Sequence, residues 1–180
     1  VSPLEMSAAY AAFSNGGYYN EPYSVSKIVY RQTGEEKVHE GEKKQVMSDA
    51  TAFMISSVLQ NVALTGGTPY NMAVKTGTTN YDEQTMINKG LPGDAIRDSW
   101  VIGYSTKTTM AVWYGYDYID PVYCLHNLPA TMAKDRLFNA LVHAGAVEAN
   151  REAFKQPSSV VQIAVSPGSI PAKLAFPGQE

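Results

Sequence analysis

Apolar residues recur at helical spacing in three stretches of the chain. The first helix is predicted to begin at Ser2, where a capping box with Glu5 is possible, and to end at the Asn-Gly-Gly sequence of residues 15–17. The second is predicted over residues 47–64 and the third over residues 129–145. The periodic apolar positions of the first helix are Leu4, Ala8, Ala11 and Ala12, and those of the second are Phe53, Met54, Val58, Leu59 and Val62. For the third helix, the expected buried face consists of Met132, Leu137, Leu141 and Val142.

Segments rich in β-branched and aromatic residues predict strands between these helices. Residues 23–41 are predicted to form a hairpin with a charged tip, and residues 73–79 a strand. Two more strands, residues 99–106 and 109–118, are separated by a short polar turn. Adjacent strands with short links form antiparallel sheets, on which helices pack as layers. The sequence therefore predicts an α+β fold, an antiparallel sheet flanked by helices.

Two segments follow neither period. Residues 80–97 contain a Gly-Leu-Pro-Gly sequence and are predicted to be a long surface loop, a kind of segment that is usually functional or mobile. Beyond Gln156 the composition shifts to Pro, Ser, Gly and Val, which is typical of an extended segment, a linker or disorder.

Composition excludes several classes of function. The 180 residues are 44% hydrophobic and 17% charged, which is typical of a globular domain. A net charge of -3 gives no indication of a nucleic-acid surface, and no apolar run is long enough to span a bilayer. With a single cysteine, Cys124, an internal disulfide is impossible, and we expect this thiol to fill the core. The three histidines have no metal-ligand spacing, so no metal site is expected.

The sequence "VKTGTTN", residues 74–80, is unusual for a strand. A strand interior normally avoids glycine and has little use for a single lysine unless its charge is directed at something. An edge-strand lysine that prevents aggregation is the alternative explanation for Lys75.

The surrounding motifs carry a resemblance. "KTGTTN" is followed by "DSWVIGYS" and "MAVWYGYD" and preceded by "SPLEMSAAYAAFSNGGYY". In this order they resemble the C-terminal half of the transpeptidase domain of a class A, bifunctional penicillin-binding protein. The Lys-Thr-Gly motif is one of three signatures of this superfamily of penicillin-binding and serine β-lactamase-like enzymes. The resemblance implies that fold, incomplete in this chain, over residues 1–150, with residues 151–180 as an extension or linker.

The resemblance also implies roles for the motif residues. Lys75 would direct positive charge toward the substrate carboxylate and a serine of the second motif, and the Thr78 backbone N–H would be one of two oxyanion-hole donors. Gly77 would let the substrate backbone lie close to the strand. The residues expected to bind substrate are Lys75, Thr76, Gly77, Thr78, Thr79 and Asn80.

Two signature motifs of the family are missing. The only Ser-x-x-Lys match, "SVSK" at residues 24–27, leads into a predicted strand, where serine and lysine three apart lie on opposite faces. We therefore reject it as the nucleophile. The nucleophile serine and the second serine motif are expected upstream, on a segment of the same polypeptide that remains bound to this one. By itself, the chain is expected to be inactive.

The reaction implied by the resemblance is serine acyl transfer that cross-links the stem peptides of peptidoglycan and that β-lactams arrest at the acyl stage. The implied location is the extracellular face of the bacterial cytoplasmic membrane, with an anchoring helix and a glycosyltransferase domain upstream. The implied partners are stem peptides and β-lactams, and the resembled reaction implies no cofactor. Alternatives within the fold are a β-lactamase, a carboxypeptidase and a penicillin-sensing or non-catalytic binding domain.

Two further expectations concern the surroundings of the motif. Residues 81–97 are expected to border the substrate groove, so their deletion should change acylation or substrate preference. The aromatic residues Trp100, Trp113, Tyr114 and Tyr116 are expected to lie in the core and on sheet faces, with a sugar-binding platform as the alternative.

Overall fold

The computed structural model describes residues 1–64, 71–145, 151–166, 168 and 170–171, with side-chain burial left out for residues 62–64. Helices and strands alternate in groups along the chain. They are α1 (Pro3–Ser14), β1 (Tyr18–Asn20), β2 (Lys27–Val29), β3 (Glu36–Val38), β4 (Lys43–Gln45), α2 (Asp49–Leu64), β5 (Ala73–Asn80), α3 (Glu83–Lys89), β6 (Ile96–Tyr104), β7 (Thr109–Gly115) and α4 (Met132–His143).

A three-stranded antiparallel sheet forms the centre of the fold. Its order is β5-β6-β7, so β6 is the central strand and β5 is an edge. Two smaller antiparallel pairs stand apart from it, β1 with β4 and β2 with β3. The second of these pairs is the predicted hairpin. The predicted α+β class is thus confirmed.

The two faces of the central sheet are covered by different helices. On one face, Tyr104 packs edge-to-face against Tyr10 of α1 and shares a 3.1 Å hydrogen bond with Ser56 of α2. On the opposite face, Val74 and Val101 pack with Leu137 of α4. Alternate residues of a strand point to opposite faces, so each strand contributes to both layers.

The start of α1 follows the prediction from local sequence. Ser2 is the N-cap, its hydroxyl accepts from the Glu5 backbone N–H, and the Glu5 carboxylate accepts from the Ser2 backbone N–H at 2.7 Å. Hydrogen bonds from Ser2, first from its backbone and then from its hydroxyl, lower the pKa of Glu5 because they stabilise the carboxylate. At the start of α2, the Ser48 hydroxyl likewise accepts from the Thr51 backbone N–H.

Gly17 joins the end of α1 to β4. Its carbonyl accepts hydrogen bonds from the backbone N–H groups of Val46 and Met47, and its φ is +95°. A Cβ on Gly17 would collide with the Met47 carbonyl, whereas a Cβ on the neighbouring Gly16, at φ +78°, would meet nothing within 4 Å. The two glycines therefore differ in packing while sharing a positive φ.

We expect Gly17→Ala to lower the free energy of unfolding by about 1–3 kcal/mol more than Gly16→Ala, because only the first adds a steric collision to the cost of the positive φ. Chemical denaturation of the two variants side by side measures the difference. Equal destabilisation would show that the contact between Gly17 and Met47 relaxes without cost.

Several of the apolar positions that recur at helical spacing are exposed. Met54 and Val58 of α2 are exposed, and among the α2 residues whose side-chain burial is described, 49–61, Ala52 and Ser56 are the fully buried ones. Small residues let the helix approach the sheet closely. Leu4 of α1 and Val142 of α4 are exposed as well. The predicted buried face of the third helix is confirmed for Leu137 and Leu141 and is wrong for Val142. Ala8 and Ala12 of α1 are buried, and the side chain of Val62 lies outside the described residues.

The prediction of a structureless loop over residues 80–97 is wrong. This segment contains α3, for which Asp82 is the N-cap and Gly90, at φ +64°, is the C-cap. The Asp82 carboxylate accepts from the Thr85 backbone N–H at 2.9 Å. In addition, β6 begins at Ile96 rather than at residue 99. The segment is therefore a short capped helix between two turns.

Residues that follow the last helix pack on the domain. Phe154 contacts the Tyr104 ring edge-on at 5.7 Å between centroids, and Lys107 forms an ion pair with Glu152 at 3.0 Å. The Asn71 amide donates to the Arg151 carbonyl. The boundary predicted at residue 150 stays a prediction.

Candidate active site

The Lys-Thr-Gly strand is the edge of the central sheet. Within the described part of the chain, no strand pairs with the outer side of β5. The first two residues of β5 are buried, Lys75, Thr76, Thr78, Thr79 and Asn80 are exposed, and Gly77 is half-buried. The motif thus lies where β5 leaves the core, with its outer edge accessible to a ligand.

The motif residues are divided between the two faces of the sheet. Pairing in register places Lys75 opposite Ile102, Gly77 opposite Trp100 and Thr79 opposite Asp98. These three positions share one face, which we call the front face, and Tyr104 belongs to it farther along β6. Thr76 and Thr78 alternate with them and belong to the other face, and an irregularity between Thr79 and Asn80 ends the regular alternation.

Lys75 folds over the edge of its own strand. Its Nζ donates to the Thr76 carbonyl oxygen at 2.6 Å. An ammonium has three donors, so this contact leaves two for other partners. The Thr76 carbonyl is therefore within reach of a polar group beside β5.

Packing among the described residues does not require glycine at position 77. A Cβ there would have one near neighbour, the Trp100 Cβ at 3.5 Å, which is an ordinary van der Waals distance, and the backbone is not in the left-handed region. Gly17 and Gly103 differ in this respect, because a Cβ would collide with Met47 at the first and come within 2.5 Å of the Leu137 side chain at the second. The backbone at Gly77 thus borders open space apart from the Trp100 Cβ among the described residues.

Two tryptophans and an aspartate lie beside Gly77 on the front face. Trp100 and Trp113 are direct partners in the β6–β7 register, with ring centroids 6.4 Å apart. The Trp113 indole N–H donates to Asp98 Oδ1 at 2.9 Å. Asp98 was missed because the predicted strand began at residue 99; in β6 Asp98 lies two residues before Trp100 and so on the same face.

The "SVSK" sequence, which we rejected as the nucleophile motif, leads into a strand as predicted. Ser24 lies in a bend and Lys27 begins β2, so the pair is not at a helix start. Lys27 forms an ion pair with Glu36 across the hairpin at 2.8 Å. The charge of Lys27 is thus directed at a carboxylate on the neighbouring strand β3.

Comparison with known proteins shows which family the chain belongs to. Residues 1–169 match the family described as the penicillin-binding protein transpeptidase domain. This chain belongs to that family. The transpeptidase domain fold expected from the sequence is therefore confirmed.

Relatives narrow the relationship to class A penicillin-binding proteins. The chain is 37% identical over 183 residues to penicillin-binding protein 1A/1B of Bacillus subtilis, covering 98% of this chain and 20% of that protein. It is also 37% identical over 124 residues to penicillin-binding protein 1A of Streptococcus pneumoniae, covering 64% of this chain and 17% of that one. The chain thus spans about a fifth of the length of the curated relatives it matches.

Solved structures share the fold. Penicillin-binding protein 1A from Haemophilus influenzae aligns with a TM-score of 0.69 at 20% identity, covering 100% of this chain and 32% of that one. Penicillin-binding protein 3 of Mycobacterium tuberculosis, solved in complex with ampicillin, aligns with a TM-score of 0.55 at 18% identity, covering 89% and 38%. The central sheet with helices on both faces is therefore a known transpeptidase arrangement.

In this transpeptidase domain, a small second core lies beyond the end of the Lys-Thr-Gly strand. Leu91, Ala95 and Cys124 are its buried members. Asp94 accepts from the Asn127 backbone N–H at 2.6 Å, which ties the segment after α3 to the segment after β7. Burial, with smaller effects of Asp120 and Asp94, raises the pKa of the Cys124 thiol. Cys124 thus fills the core, as predicted.

The aromatic residues of β6 and β7 lie on sheet faces. Trp100 and Trp113 are partly buried on the front face. Tyr114 lies on the other face, where the Arg136 guanidinium stacks over its ring at 3.2 Å from the ring centroid. Tyr116 is exposed beyond the end of β7. Of these residues, only Tyr116 thus lies outside the sheet.

Two classes of feature were searched for in the described residues. Within them, no helix is both long and apolar enough to cross a membrane. The same residues include no cluster of three or more His, Cys, Asp or Glu side chains that could hold a metal ion.

Proposed function

We propose that this chain is the substrate-binding wall of a D,D-transpeptidase that cross-links peptidoglycan stem peptides and is acylated by β-lactams. The observation that carries the proposal is the accessible edge of β5, where an exposed Lys75 stands beside a glycine that internal packing does not require. An extended peptide adds readily to such an edge, because main-chain hydrogen bonds hold it there.

Each motif residue has a role in this proposal. Lys75 attracts the terminal carboxylate of a D-Ala-D-Ala stem and the serine of a second motif, and its two remaining donors allow both contacts. The hydroxyls of Thr76 and Thr78 bind the same carboxylate, with Thr79 and Asn80 extending the site. Thr76 and Thr78 belong to the face opposite Lys75, so a carboxylate placed at the edge itself is within reach of both sets of side chains.

The oxyanion hole is proposed to use the backbone N–H of Thr78. Residues two apart in a strand direct their backbone groups to the same side, and the Thr76 carbonyl is reached by the Lys75 ammonium at 2.6 Å. This supports a Thr78 N–H that faces the ligand side. A second donor would be the backbone N–H of the nucleophile itself. Loss of one such donor typically costs ~10²–10³ in rate.

The proposed reaction has two acyl-transfer steps. The serine oxygen attacks the carbonyl carbon of the penultimate D-Ala, its proton passes through a base to the leaving nitrogen, and the terminal D-Ala departs. An amine of a second stem peptide then attacks the ester, an amide bond forms, and the serine regains its proton. A β-lactam acylates the same serine when its ring amide opens.

The nucleophile and its base are proposed to lie on an upstream segment of the same polypeptide. Among the described residues, the Ser-x-x-Lys match is on a hairpin, which is unsuited to catalysis. We further propose that the complete protein acts at the extracellular face of the bacterial cytoplasmic membrane, anchored by a helix upstream and carrying a glycosyltransferase domain. The relatives' length leaves room for such segments.

Labelling with a fluorescent penicillin tests the proposal. The chain alone and the protein expressed from the intact gene are treated in parallel and analysed by denaturing electrophoresis and intact mass. We expect label in the intact protein, at a serine outside residues 1–180, and no label on the chain alone. Label on the isolated chain, at Ser24 or elsewhere, would overturn the assignment of the nucleophile. An unlabelled intact protein would favour a non-catalytic domain of the same fold.

A further inference from the structure

The space left open by Gly77 is bordered by one large side chain. The Trp100 Cβ lies 3.5 Å from the position that a Cβ on Gly77 would take, and the two residues are partners in the β5–β6 register. Trp100 is only partly buried, whereas Tyr104, farther along the same face of β6, is completely buried under α1 and α2. A ligand that lies against the bare backbone of Gly77 therefore has Trp100 as its nearest side-chain neighbour within β6.

Trp113 packs against Trp100 on the side away from Gly77. The two indole rings are tilted by 52° with centroids 6.4 Å apart, within the range of favourable aromatic contacts. The Trp113 ring extends over Gly115, where a Cβ would collide with its six-membered ring. The lack of a side chain at Gly115 thus lets this ring lie along the strand.

Asp98 fixes the position of the Trp113 ring. In the β6–β7 register Asp98 is opposite Gly115, and its Oδ1 accepts from the Trp113 indole N–H at 2.9 Å. This bond satisfies the single donor of a half-buried indole, and a bond to a carboxylate is stronger than one between neutral groups. Asp98, Trp113 and Trp100 therefore form a row of contacts on the front face that ends beside Gly77.

We propose that Trp100 is a substrate-contacting residue of this transpeptidase and that Trp113 and Asp98 are positioning residues that act through it. The inference rests on the proposed function. With the substrate carboxylate at the edge of β5, the group next to it lies over Gly77 and against the indole. That group is apolar in both ligand classes, the methyl of the terminal D-Ala in a stem peptide and the two methyls of the five-membered ring in a penicillin. Trp100 thus supplies apolar contact to the part of the donor that adjoins its carboxylate.

Acylation kinetics of the protein expressed from the intact gene test this role, with penicillin as the probe. The concentration dependence of acylation separates the apparent affinity for penicillin from the limiting acylation rate. We expect Trp100→Ala to weaken the apparent affinity about 10-fold, since two methyl groups lose their apolar contact, with a smaller effect on the limiting rate. Trp100→Phe keeps an aromatic ring and is expected to retain most of the affinity. The matched control is Tyr114→Ala on the opposite face of β7, expected to leave acylation as in the wild type.

Variants of the supporting pair test positioning. Trp113→Phe removes the indole N–H and keeps a ring, and Asp98→Ala removes the acceptor. Both are expected to weaken affinity by a similar factor of about 3- to 10-fold, less than the full value of a hydrogen bond to a charged group because this bond acts on the ligand only through Trp100. The double variant should be no weaker than either single variant. Asp98→Asn keeps an acceptor oxygen and should recover most of the affinity lost in Asp98→Ala. Thermal unfolding of each variant separates these effects from loss of the fold.

The outcomes separate this inference from the proposed function. If the wild-type protein is not acylated at all, the proposed function fails. If it is acylated and both Trp100 variants match it in affinity and rate, Trp100 does not contact the ligand and the inference is overturned. If Asp98→Asn is as weak as Asp98→Ala, the charge of Asp98 acts directly and its positioning role is wrong.

Discussion

Replacing Lys75 with glutamine is expected to slow acylation by penicillin between about 10-fold and about 150-fold, because hydrogen bonds to charged groups are worth ~1.5–3 kcal/mol. Glutamine keeps much of the length of the side chain and one donor group but removes the positive charge. The fold should not change, since Lys75 is exposed and its one contact among the described groups is with the neighbouring Thr76 carbonyl. The measurement is the second-order rate of acylation in the protein expressed from the intact gene.

Lys44→Gln is the matched control for this substitution. Lys44 is also an exposed lysine in a strand, but it lies in the separate sheet that pairs β1 with β4. Its loss changes the net charge by the same amount and should leave acylation within about twofold, since isolated surface charges contribute little. If both variants slow acylation equally, a general charge effect operates and Lys75 has no specific role.

Replacing Gly77 with valine is expected to slow acylation about 100-fold or more. A branched side chain at this point displaces a ligand from the strand by at least the width of a methyl group, and a misplacement of ~1 Å in an active site costs ~10²-fold. The first added carbon is accommodated, because the nearest atom to it would be the Trp100 Cβ at 3.5 Å. The loss should therefore appear in acylation and not in thermal unfolding.

Gly41→Val provides the comparison for the valine substitution. Gly41 lies between β3 and β4, where a Cβ would meet the His39 ring at 3.7 Å, again an ordinary contact. It is expected to retain wild-type acylation. Normal acylation in Gly77→Val would mean that no ligand lies against this backbone, and a large drop in its unfolding temperature would mean that Gly77 serves the fold.

Local sequence signals predicted most of the helices and strands. The capping box of α1, the charged hairpin and the three strands of the central sheet each depend on residues within a few positions of one another. The short helix α3 was missed because its seven residues, Glu83–Lys89, have no apolar period. Its Asp82 and Gly90 caps were in the sequence, but caps predict a helix only when a periodic pattern lies between them.

Burial was predicted less well than secondary structure. The α2 positions Met54 and Val58 have the spacing of a buried face, yet the helix rotates so that Ala52 and Ser56 face the sheet. The Ser56 hydroxyl bonds to Tyr104 and to the Ala52 carbonyl, so its burial carries no unsatisfied group. Which face of α2 packs on the sheet depends on the β6 side chain beneath the helix, and this cannot be predicted from the helical period alone.

The same limit applies to the candidate site. The motif drew attention to Lys75, but its exposure where β5 leaves the core is an observation of the structure. The bond between Asp98 and Trp113 depends on the pairing of two strands and on the missing side chain of Gly115, which are tertiary facts. No spacing within a single strand indicates them.

The division of β6 residues between two roles affects which substitutions this protein can accept in evolution. Its alternate residues serve two tasks, since Val101 is in the core with Leu137 while Asp98 and Trp100 lie in the row that ends beside Gly77. Ile102 and Tyr104, farther along the front face, are buried, so variation that leaves the core intact is confined to the partly buried end of this face, at Asp98 and Trp100. Gly103 has no such freedom, because an added carbon would meet Leu137 at 2.5 Å. If the proposed function holds, heritable variation in β-lactam recognition has room at Asp98 and Trp100, at the end of a strand whose remaining residues hold the fold constant.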